Sequence, residues 1–406
     1  MKYVLYVGFP GFPGWLAQIK RQHLIAKGLT EAGCSVRIFN RYGTHQPNDG
    51  TSVFAKGNFE EIEYEFCSGT PFRPSGFIKR NLLKGYGLCV EFFRIVSCRM
   101  NHQADVIIIT VNSLWGLVYY TLLAKLLGIR SVYDAVEYWN IPRHGISKIV
   151  TLLKNRLYLD FADRVIVISD FLYDRVVRIK PGKPVLKVPP LCDFGKFTNP
   201  IPSISEPEKR KPWFLYCGSI AYSEVIYFIL EAYRKLNADA GLVIIVSGDP
   251  GTELEKLKEA FRREQSDHIT LLHNISDEEL IRTYRSSLAL LIPLRPTFQD
   301  IARFPHKIGE YTAVARPIIS TRIGEIGNFF IDGINAFIAE SYEVEAFSGK
   351  MKEVLSKPEF AREIGFQGFQ TGLQHFDYRK KGPVIYEFLF HPGGKVQSPD
   401  SNQIKN

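Results

Sequence analysis

Several features that would define a protein class at once are missing from this sequence. Its six cysteines show no Cys-x-x-Cys or other metal-type spacing, so neither a zinc module nor a disulfide framework is indicated. No run of about 18 uncharged apolar residues is present, which argues against a membrane-spanning helix. A Gly-x-Gly-x-x-Gly fingerprint is also missing, so a dinucleotide site has little support. The cysteines are expected to be reduced, mostly buried thiols of a cytoplasmic protein.

Positive charge is concentrated in the first half of the chain. The 406 residues carry a formal net charge of +9, but residues 1–195 hold 25 lysines and arginines against 15 acidic residues, whereas the remainder holds 26 against 27. This asymmetry predicts that the first half faces an anionic partner. No helix-turn-helix, zinc or RNA-binding signature accompanies the charge, so nucleic acid is not expected. A membrane surface or a phosphate-linked lipid fits better.

The segment 72–100 offers a place for such a contact. It combines cations with bulky apolar residues at partly helical spacing, namely Arg73, Lys79, Arg80, Lys84, Arg94 and Arg99 among Phe77, Ile78, Leu82, Leu83, Tyr86, Phe92 and Phe93. A basic amphipathic helix of this kind can lie on an anionic leaflet, where each cation contributes about 1 kcal/mol. The alternative is a helix that packs on a sheet and keeps its charges in solvent.

Both halves of the chain alternate short β-rich runs with helical patterns. This alternation predicts two Rossmann-like α/β domains, each with a parallel sheet and crossover helices. Residues 1–195 form the first domain, the proline- and serine-containing segment 196–212 a linker, and residues 213–375 the second domain. A helix at 376–391 can return to the first domain, and the polar residues 392–406 are expected to be disordered. Two facing domains would leave a central cleft at the carboxyl ends of their strands, the usual ligand site of α/β sheets.

The most informative stretch is residues 303–321, in which Lys307, Gly309 and Glu310 stand at the entry to a short helix ahead of a buried strand. Unpaired N–H groups at a helix start favour phosphate, and Lys307 adds a full positive charge. Glu310, about one turn later, can accept two hydrogen bonds from a diol such as a ribose. The pattern predicts a nucleotide site, and the alternative is a helix with routine surface charges.

Segments in this order resemble the retaining glycosyltransferases of family 4, which have the two-domain GT-B fold. The matching segments are residues 8–14 (Gly-Phe-Pro-Gly-Phe-Pro-Gly), 162–169, 188–191, 215–219, 246–249 and 307–319. The resemblance covers roughly residues 1–375. It implies a nucleotide-diphosphate sugar bound to the C-terminal domain, an acceptor bound to the N-terminal domain, and transfer that retains the anomeric configuration.

Carried over residue by residue, the resemblance makes Glu310 the glutamate that holds the donor ribose. Lys307 becomes the main ligand of the diphosphate, on which negative charge grows in the transition state. The first glutamate of the family motif would fall on Ala302, which is a departure from the pattern. Asp300 is the nearest carboxylate that could serve the sugar hydroxyls instead.

A second departure follows Gly218. The family commonly places two cations after this glycine, against the diphosphate, but here the positions hold Ser219 and Glu224. The resemblance therefore leaves the diphosphate to Lys307, Arg303 and backbone N–H groups around Gly218 and Ser219. No Asp-x-Asp motif is present, so neither a metal nor another cofactor is expected.

Four further residues are candidates for the site. Glu137, in a loop after a strand, can orient the acceptor hydroxyl or take its proton. Gly14 closes a glycine- and proline-rich turn through which the backbone can approach the donor phosphate or the acceptor, although a purely structural turn is the alternative. The family analogy places His273 near the nucleotide base and Glu325 near the donor. Both can equally be ordinary loop residues.

Together these observations predict a cytoplasmic hexosyltransferase, peripheral on the inner face of a membrane, that builds a cell-surface polysaccharide. Its donor is expected to be a UDP- or GDP-sugar, and its acceptor a glycan or a lipid-linked glycan. Two alternatives remain open. A sugar-nucleotide 2-epimerase of the same fold would act on the donor alone. A non-catalytic partner subunit of a glycosyltransferase complex would explain the missing carboxylate and cations.

Overall fold

The computed structural model describes residues 1–14, 16–46, 53–138, 145–198, 211–248, 251–263 and 268–391. The chain divides into two compact units, unit 1 (Met1–Leu191 with Tyr378–Asn406) and unit 2 (Cys192–Asp377). Three predicted features lie outside the described residues. They are most of the linker (199–210), the disordered tail (392–406) and Asp249 of the segment 246–249.

The strands of unit 1 are β1 (Lys2–Val7), β2 (Cys34–Asn40), β3 (Lys56–Phe59), β4 (Ile62–Phe66), β5 (Val106–Ile109), β6 (Arg130–Ala135), β7 (Arg164–Val167) and β8 (Val185–Lys187). Those of unit 2 are β9 (Trp213–Ser219), β10 (Gly241–Ser247), β11 (Ile269–His273), β12 (Ala289–Ile292), β13 (Ile318–Thr321) and β14 (Phe337–Ala339). Central strands such as β5, with the sequence Val-Ile-Ile-Ile, are fully buried. This is expected of parallel strands that helices cover on both faces.

The first helices are α1 (Ala17–Glu31), α2 (Phe77–Met100), α3 (Leu114–Leu127), α4 (Ile146–Phe161), α5 (Asp170–Ile179), α6 (Phe194–Thr198), α7 (Ser223–Leu236) and α8 (Gly251–Arg263). The later ones are α9 (Asp277–Ser286), α10 (Phe298–Ala302), α11 (Lys307–Thr312), α12 (Ile326–Phe329), α13 (Val344–Ser356), α14 (Pro358–His375) and α15 (Tyr378–Phe390). None of the helices in the described ranges combines the length and the apolar character that a membrane span requires.

Both sheets follow the predicted parallel plan. The described strands of unit 1 form an eight-stranded sheet in the order β3-β4-β2-β1-β5-β6-β7-β8, and those of unit 2 a six-stranded sheet in the order β11-β10-β9-β12-β13-β14. All neighbouring pairs are parallel except the β3–β4 hairpin. The predicted pair of Rossmann-like domains is thereby confirmed.

Local signals in the sequence explain several helix ends. Ser113 caps α3, because its hydroxyl accepts a hydrogen bond of 3.1 Å from the Gly116 amide. Gly128 ends the same helix in the left-handed region at φ 63°, a conformation that glycine adopts at little cost. All six cysteines are free thiols, and all but Cys89 are buried, so the expectation that most are buried is confirmed.

The boundary between the units differs from the predicted one. Residues 192–195 were expected in the first domain and 196–198 in the linker, but all belong to unit 2 and the last five form α6. Two contacts account for this placement. The ring of Phe194 lies 5.7 Å from that of Phe369, and the Cys192 amide donates to the Phe376 carbonyl at 2.8 Å.

The C-terminal helix α15 belongs to unit 1 and packs against α1. Close approach of the two helices requires glycine on both sides. A Cβ atom on Gly382 would lie 2.4 Å from the carbonyl oxygen of Gly28, which is too near for any side chain. Tyr378 extends the contact through a hydrogen bond from its hydroxyl to Glu31.

Replacing Gly382 with alanine should lower the free energy of unfolding by about 1–3 kcal/mol, because the added methyl forces α15 away from α1. Gly85 provides a matched control, since a Cβ atom at this position in α2 meets nothing within 4 Å. The Gly85→Ala protein should be unchanged or stabilised by up to about 1 kcal/mol. Chemical denaturation measures both effects. Equal free energies for the two variants would contradict the packing described here.

Candidate active site

The strand order of unit 2 defines a topological switch point. From β9 the chain runs outward through β10 and β11, and then returns to place β12 on the other side of β9. The connections that leave the carboxyl ends of β9 and β12 therefore go in opposite directions. A crevice forms at such a point, and open α/β sheets bind their ligands there.

Lys307 and Glu310 lie beside this switch point, in the short helix α11. The Lys307 ammonium donates to the Glu310 carboxylate at 3.0 Å and to the Tyr284 hydroxyl at 3.0 Å. The Tyr284 hydroxyl in turn lies 3.3 Å from the same carboxylate oxygen. The helix is fixed to β9 because the Cys217 amide donates to the Tyr311 hydroxyl at 2.9 Å. The structure thus brings the two strongest sequence candidates together.

Lys307 is the accessible member of this cluster. Its side chain is 28% exposed, whereas that of Glu310 is 9% exposed. Burial alone would lower the pKa of Lys307, but the adjacent Glu310 carboxylate outweighs it and places the pKa above its ordinary value. Burial raises the pKa of the Tyr284 hydroxyl well above its ordinary value. At neutral pH the cluster therefore presents a permanent cation beside a neutral phenol.

A second group of cations stands at the other flank of the switch point. Arg295, in the loop after β12, donates to Asp300 from its Nε at 2.8 Å and from its backbone amide at 2.9 Å. Arg303 donates to the same carboxylate at 2.7 Å. Asp300 is 1% exposed. Burial would raise the pKa of Asp300, but the two guanidinium groups hold it below its usual range.

These two arginines reach the segment that follows β9. The Arg303 guanidinium lies 4.3 Å from the ring centre of Tyr222 and bonds its hydroxyl. Arg295 donates to the Glu224 carboxylate at 3.1 Å. In the described part of the chain, the buried Nε of Arg303 has no hydrogen-bond partner. The resemblance described above implies cations at the positions of Ser219 and Glu224, and the fold brings Arg295 and Arg303 to this region from elsewhere in the sequence.

Sequence reasoning missed Arg295 and assigned Asp300 to the donor sugar. Both carboxylate oxygens of Asp300 already accept hydrogen bonds from arginines. The structure therefore shows Asp300 as the counter-ion that orients Arg295 and Arg303, and a direct contact of Asp300 with sugar stays a prediction. The signal for Arg295 was its place three residues after a buried strand, between Pro293 and Pro296.

The glycines and the serine of the candidate set shape the backbone. A Cβ atom on Gly218 would lie 2.3 Å from the Tyr216 hydroxyl, so only glycine fits there. The Ser219 hydroxyl accepts a hydrogen bond of 3.3 Å from the Ala221 amide and starts the 3-10 turn Ile220–Tyr222. The Gly309 amide donates to the His306 carbonyl at 3.2 Å. That N–H group is used within the helix turn, which differs from its expected role as a phosphate ligand.

Glu325 and His273 lie on two other strand ends of unit 2. Glu325 is buried in the loop after β13, and the loop packs on α10, where a Cβ atom on Gly324 would lie 2.9 Å from the Asp300 carbonyl. His273 ends β11, and its Nε2 lies 3.1 Å from the Gly248 carbonyl. Glu325 thus lies in a loop that packs against Asp300, the partner of Arg295 and Arg303. His273 contacts the loop after β10.

The remaining candidates, Gly14 and Glu137, belong to unit 1. Gly14 ends the loop that leaves β1 at the switch point between β1 and β5. Buried Asn40 braces this loop, because its side-chain oxygen accepts hydrogen bonds from the Gly11 and Phe12 amides at 2.7 and 3.0 Å. Glu137 follows β6 and is exposed. Both therefore lie near the carboxyl edge of their sheet.

The arrangement in unit 2 suits an anionic ligand that carries a diol. Lys307 and Arg303 offer charged donors for phosphate oxygens, while Glu310 offers an acceptor for hydroxyl groups. Across the described ranges, no three His, Cys, Asp or Glu side chains are arranged to hold a metal ion. The expectation that neither metal nor cofactor takes part stays a prediction.

Residues 198–371 match the family model described as glycosyl transferases group 1. This stretch contains the whole candidate site of unit 2. A curated relative, an uncharacterized glycosyltransferase of Methanocaldococcus jannaschii, is 25% identical over 154 residues. The alignment spans 38% of this chain and 41% of that relative, less than half the length of each.

Solved structures extend the similarity to the fold of the full chain. A sucrose-phosphate synthase from Thermosynechococcus elongatus has a TM-score of 0.74 at 15% identity, covering 95% of this chain and 98% of its own. A glycosyltransferase from Rickettsia africae ESF-5 has a TM-score of 0.69 at 17% identity, covering 96% and 100%. The Anabaena protein HepE, solved with UDP and glucose, has a TM-score of 0.67 at 13% identity, covering 96% and 99%. The fold is therefore GT-B.

Asp300→Asn should lower the free energy of unfolding by about 3 kcal/mol at pH 7, because it leaves two arginines without their buried counter-ion. The depressed pKa of Asp300 means that its contribution is present above its ordinary pKa of about 4 and is lost as the pH falls through the native value. The difference in the free energy of unfolding between wild type and variant should stay constant from pH 7 to pH 5 and become smaller below about pH 4.

Asp239→Asn is the control for this change. Asp239 pairs with Lys211, but its side chain is 75% exposed, so the variant should show no measurable loss at any pH. Denaturation curves recorded across the pH range compare the two proteins. If Asp300→Asn lowers the free energy of unfolding at pH 7 no more than Asp239→Asn does, Asp300 is not the counter-ion of the two arginines.

Proposed function

We propose that this protein is a retaining glycosyltransferase of family 4 that moves a hexose from a nucleotide-diphosphate sugar to a glycan or lipid-linked acceptor. The observation that carries the proposal is the accessible Lys307 ammonium between Glu310 and Tyr284 at the switch point of unit 2. The match to group 1 glycosyl transferases over the same residues supports it. The product would be a cell-surface polysaccharide.

The donor diphosphate binds at Lys307 and Arg303 in this proposal. As the glycosidic bond to the leaving group breaks, negative charge grows on the β-phosphate, and preformed cations stabilise it most effectively when water is excluded. The Arg303 side chain is 19% exposed, so part of it remains accessible to a phosphate oxygen. Asp300 and Arg295 act indirectly, because they hold Arg303 against Tyr222.

Glu310 accepts hydrogen bonds from the two ribose hydroxyls of the donor. A nucleoside with either uracil or guanine carries this diol, so the proposal covers UDP- and GDP-sugars. The HepE structures with UDP and with UDP-glucose support a nucleotide-sugar ligand for this fold. Glu137 of unit 1 orients the acceptor hydroxyl or takes its proton, and Gly14 and Gly218 line the substrates. His273 and Glu325 act indirectly, because they support the loops of the donor site.

Lys307→Ala should lower kcat by about 100-fold, since removal of one charged donor to the growing negative charge costs about 3 kcal/mol. The measurement is a screen of UDP- and GDP-sugars for transfer or slow hydrolysis, followed by kinetics on the best donor. Lys357→Ala is the control, because Lys357, just after α13, also pairs with a glutamate but is 58% exposed. A folded Lys307→Ala protein with full turnover would refute the assignment, whereas conversion of donor without acceptor would indicate an epimerase.

We further propose that unit 1 rests on an anionic membrane surface at the cytoplasmic face. Helix α2 carries an apolar stripe in solvent, in which Ile78, Leu82 and Phe93 are 74, 69 and 68% exposed. The neighbouring α3 adds Trp115 and Leu126 at 83 and 84%. The two helices are joined where Arg99 donates to the Leu127 carbonyl. Apolar side chains beside many cations are typical of helices at a lipid interface.

Phe93→Asn should weaken binding to vesicles of neutral and anionic phospholipids by about tenfold, which corresponds to the loss of one apolar side chain from the interface. Phe366→Asn is the matched control, because Phe366 is 51% exposed in a helix of unit 2. Sedimentation with vesicles measures both. If the two variants bind vesicles equally well, the exposed stripe of α2 is not the membrane contact.

A further inference from the structure

We infer that unit 1 holds a discrete binding site for a lipid phosphate, with a cation pocket for the phosphate and an adjoining apolar groove for the hydrocarbon chain. The inference rests on the proposed function in one respect, since such a lipid would be the carrier of the acceptor. Its physical basis lies in the first turns of α2 and in two loops beside them.

The cation pocket is a cavity of about 520 Å³ at the carboxyl edge of the unit 1 sheet. Its walls are the loop after β2, the loop after β4 and the start of α2. The carboxyl edge is where α/β sheets bind ligands. The pocket therefore lies on the edge of unit 1 to which the proposed function assigns the acceptor.

Backbone contacts hold the walls of this pocket together. The His45 amide donates to the Pro71 carbonyl at 3.0 Å, and the Arg73 amide donates to the His45 carbonyl at 2.9 Å. A Cβ atom on Gly43 would lie 2.5 Å from the Pro71 carbonyl carbon, so the loops touch without room for a side chain. The shape of the pocket is therefore set by backbone contacts between the two loops, in addition to the side chains at its surface.

Three cations line the pocket: Arg73, Arg80 and Lys84. The described residues supply no carboxylate partner for any of them, in contrast to Arg41, which pairs with buried Glu91 at 2.8 Å. The Lys84 ammonium is held 4.7 Å from the ring centre of Tyr42. Unpaired cations that converge on one cavity raise its affinity for a phosphate group.

Hydroxyl groups complete the polar lining of the pocket. Thr44 and Thr70 line the same cavity as the three cations, whereas the Ser68 hydroxyl, also in the lining, already donates to the Thr70 carbonyl at 3.1 Å. The Thr70 hydroxyl accepts a hydrogen bond of 3.2 Å from the Phe72 amide, so its own proton can point to a ligand. Cations with nearby hydroxyl donors match the several acceptor oxygens of a phosphate.

The apolar groove adjoins this pocket along α2. It is a shallow, open groove of about 760 Å³ on one face of the start of α2, lined by Gly76, Phe77, Ile78, Lys79, Leu82, Leu83 and Tyr86. Phe77 and Leu83 line both cavities. A ligand with a charged head and an apolar chain can fill the two at once. A soluble sugar phosphate would leave the groove empty, and a flat bilayer surface would not need the pocket.

The test measures binding of geranylgeranyl monophosphate to the full chain by calorimetry, without any donor. Lys84→Gln and Arg80→Gln should each weaken binding about tenfold, the effect of losing one charge-assisted contact. Lys125→Gln is the matched control, because it removes the same charge from an exposed position in α3 of the same unit and lines neither cavity. It should change the affinity less than about twofold.

Two further ligands separate the parts of the site. Geranylgeraniol, which has the chain without the phosphate, and inorganic phosphate, which has no chain, should both bind more weakly than the lipid phosphate. Leu82→Asn should weaken binding of the lipid phosphate but not of inorganic phosphate.

Equal losses of affinity for Lys125→Gln and Lys84→Gln would overturn the site in favour of general charge attraction. Equal binding of the prenyl phosphate and the alcohol would also overturn it. Because these measurements need no sugar transfer, an inactive protein that still binds the lipid phosphate would refute the proposed reaction and leave the site intact.

Discussion

The ion pair between Lys307 and Glu310 is the interaction on which the account of unit 2 depends. The carboxylate keeps the lysine charged although the site is partly buried, and the Tyr284 hydroxyl completes the triangle. A lysine held in this way can exchange part of its contact with Glu310 for a phosphate oxygen without a change in position. Glu310 is then available for hydroxyl groups, so one short helix can bind both the charged and the sugar part of a nucleotide.

A second constraint comes from the buried carboxylate of Asp300. It fixes two arginines beside the residues that follow β9, where the local sequence supplies a serine and a glutamate. Arg295 and Arg303 thus reach the segment after β9 from the other side of the switch point. Loss of a motif residue in sequence need not mean loss of the charge in space.

Most of the fold could be predicted because parallel strands are short, apolar and separated by amphipathic helices. The β-rich runs predict five strands in each half of the chain, and β3, β4, β8 and β14 are not among them. β8 and β14 have three residues each, too few for a pattern, whereas β4 (Ile-Glu-Tyr-Glu-Phe) alternates clearly and was overlooked. In the site, Lys307 and Glu310 are near in sequence and were found, but Arg295 and Tyr222 meet only through the strand order. The proposed lipid-phosphate site could not be predicted from the sequence for the same reason, since its walls come from two loops and a helix that are apart in the chain.

Titration of UDP and GDP into the wild-type protein by calorimetry, with uridine and guanosine as comparisons, tests the central claim most directly. The account predicts that one of the two nucleotides binds with measurable heat, and that its nucleoside without the diphosphate binds far more weakly. Affinity should fall as salt rises, because charged side chains hold the diphosphate. Heat from neither nucleotide, or equal affinities for a nucleotide and its nucleoside, would contradict a diphosphate site built around Lys307.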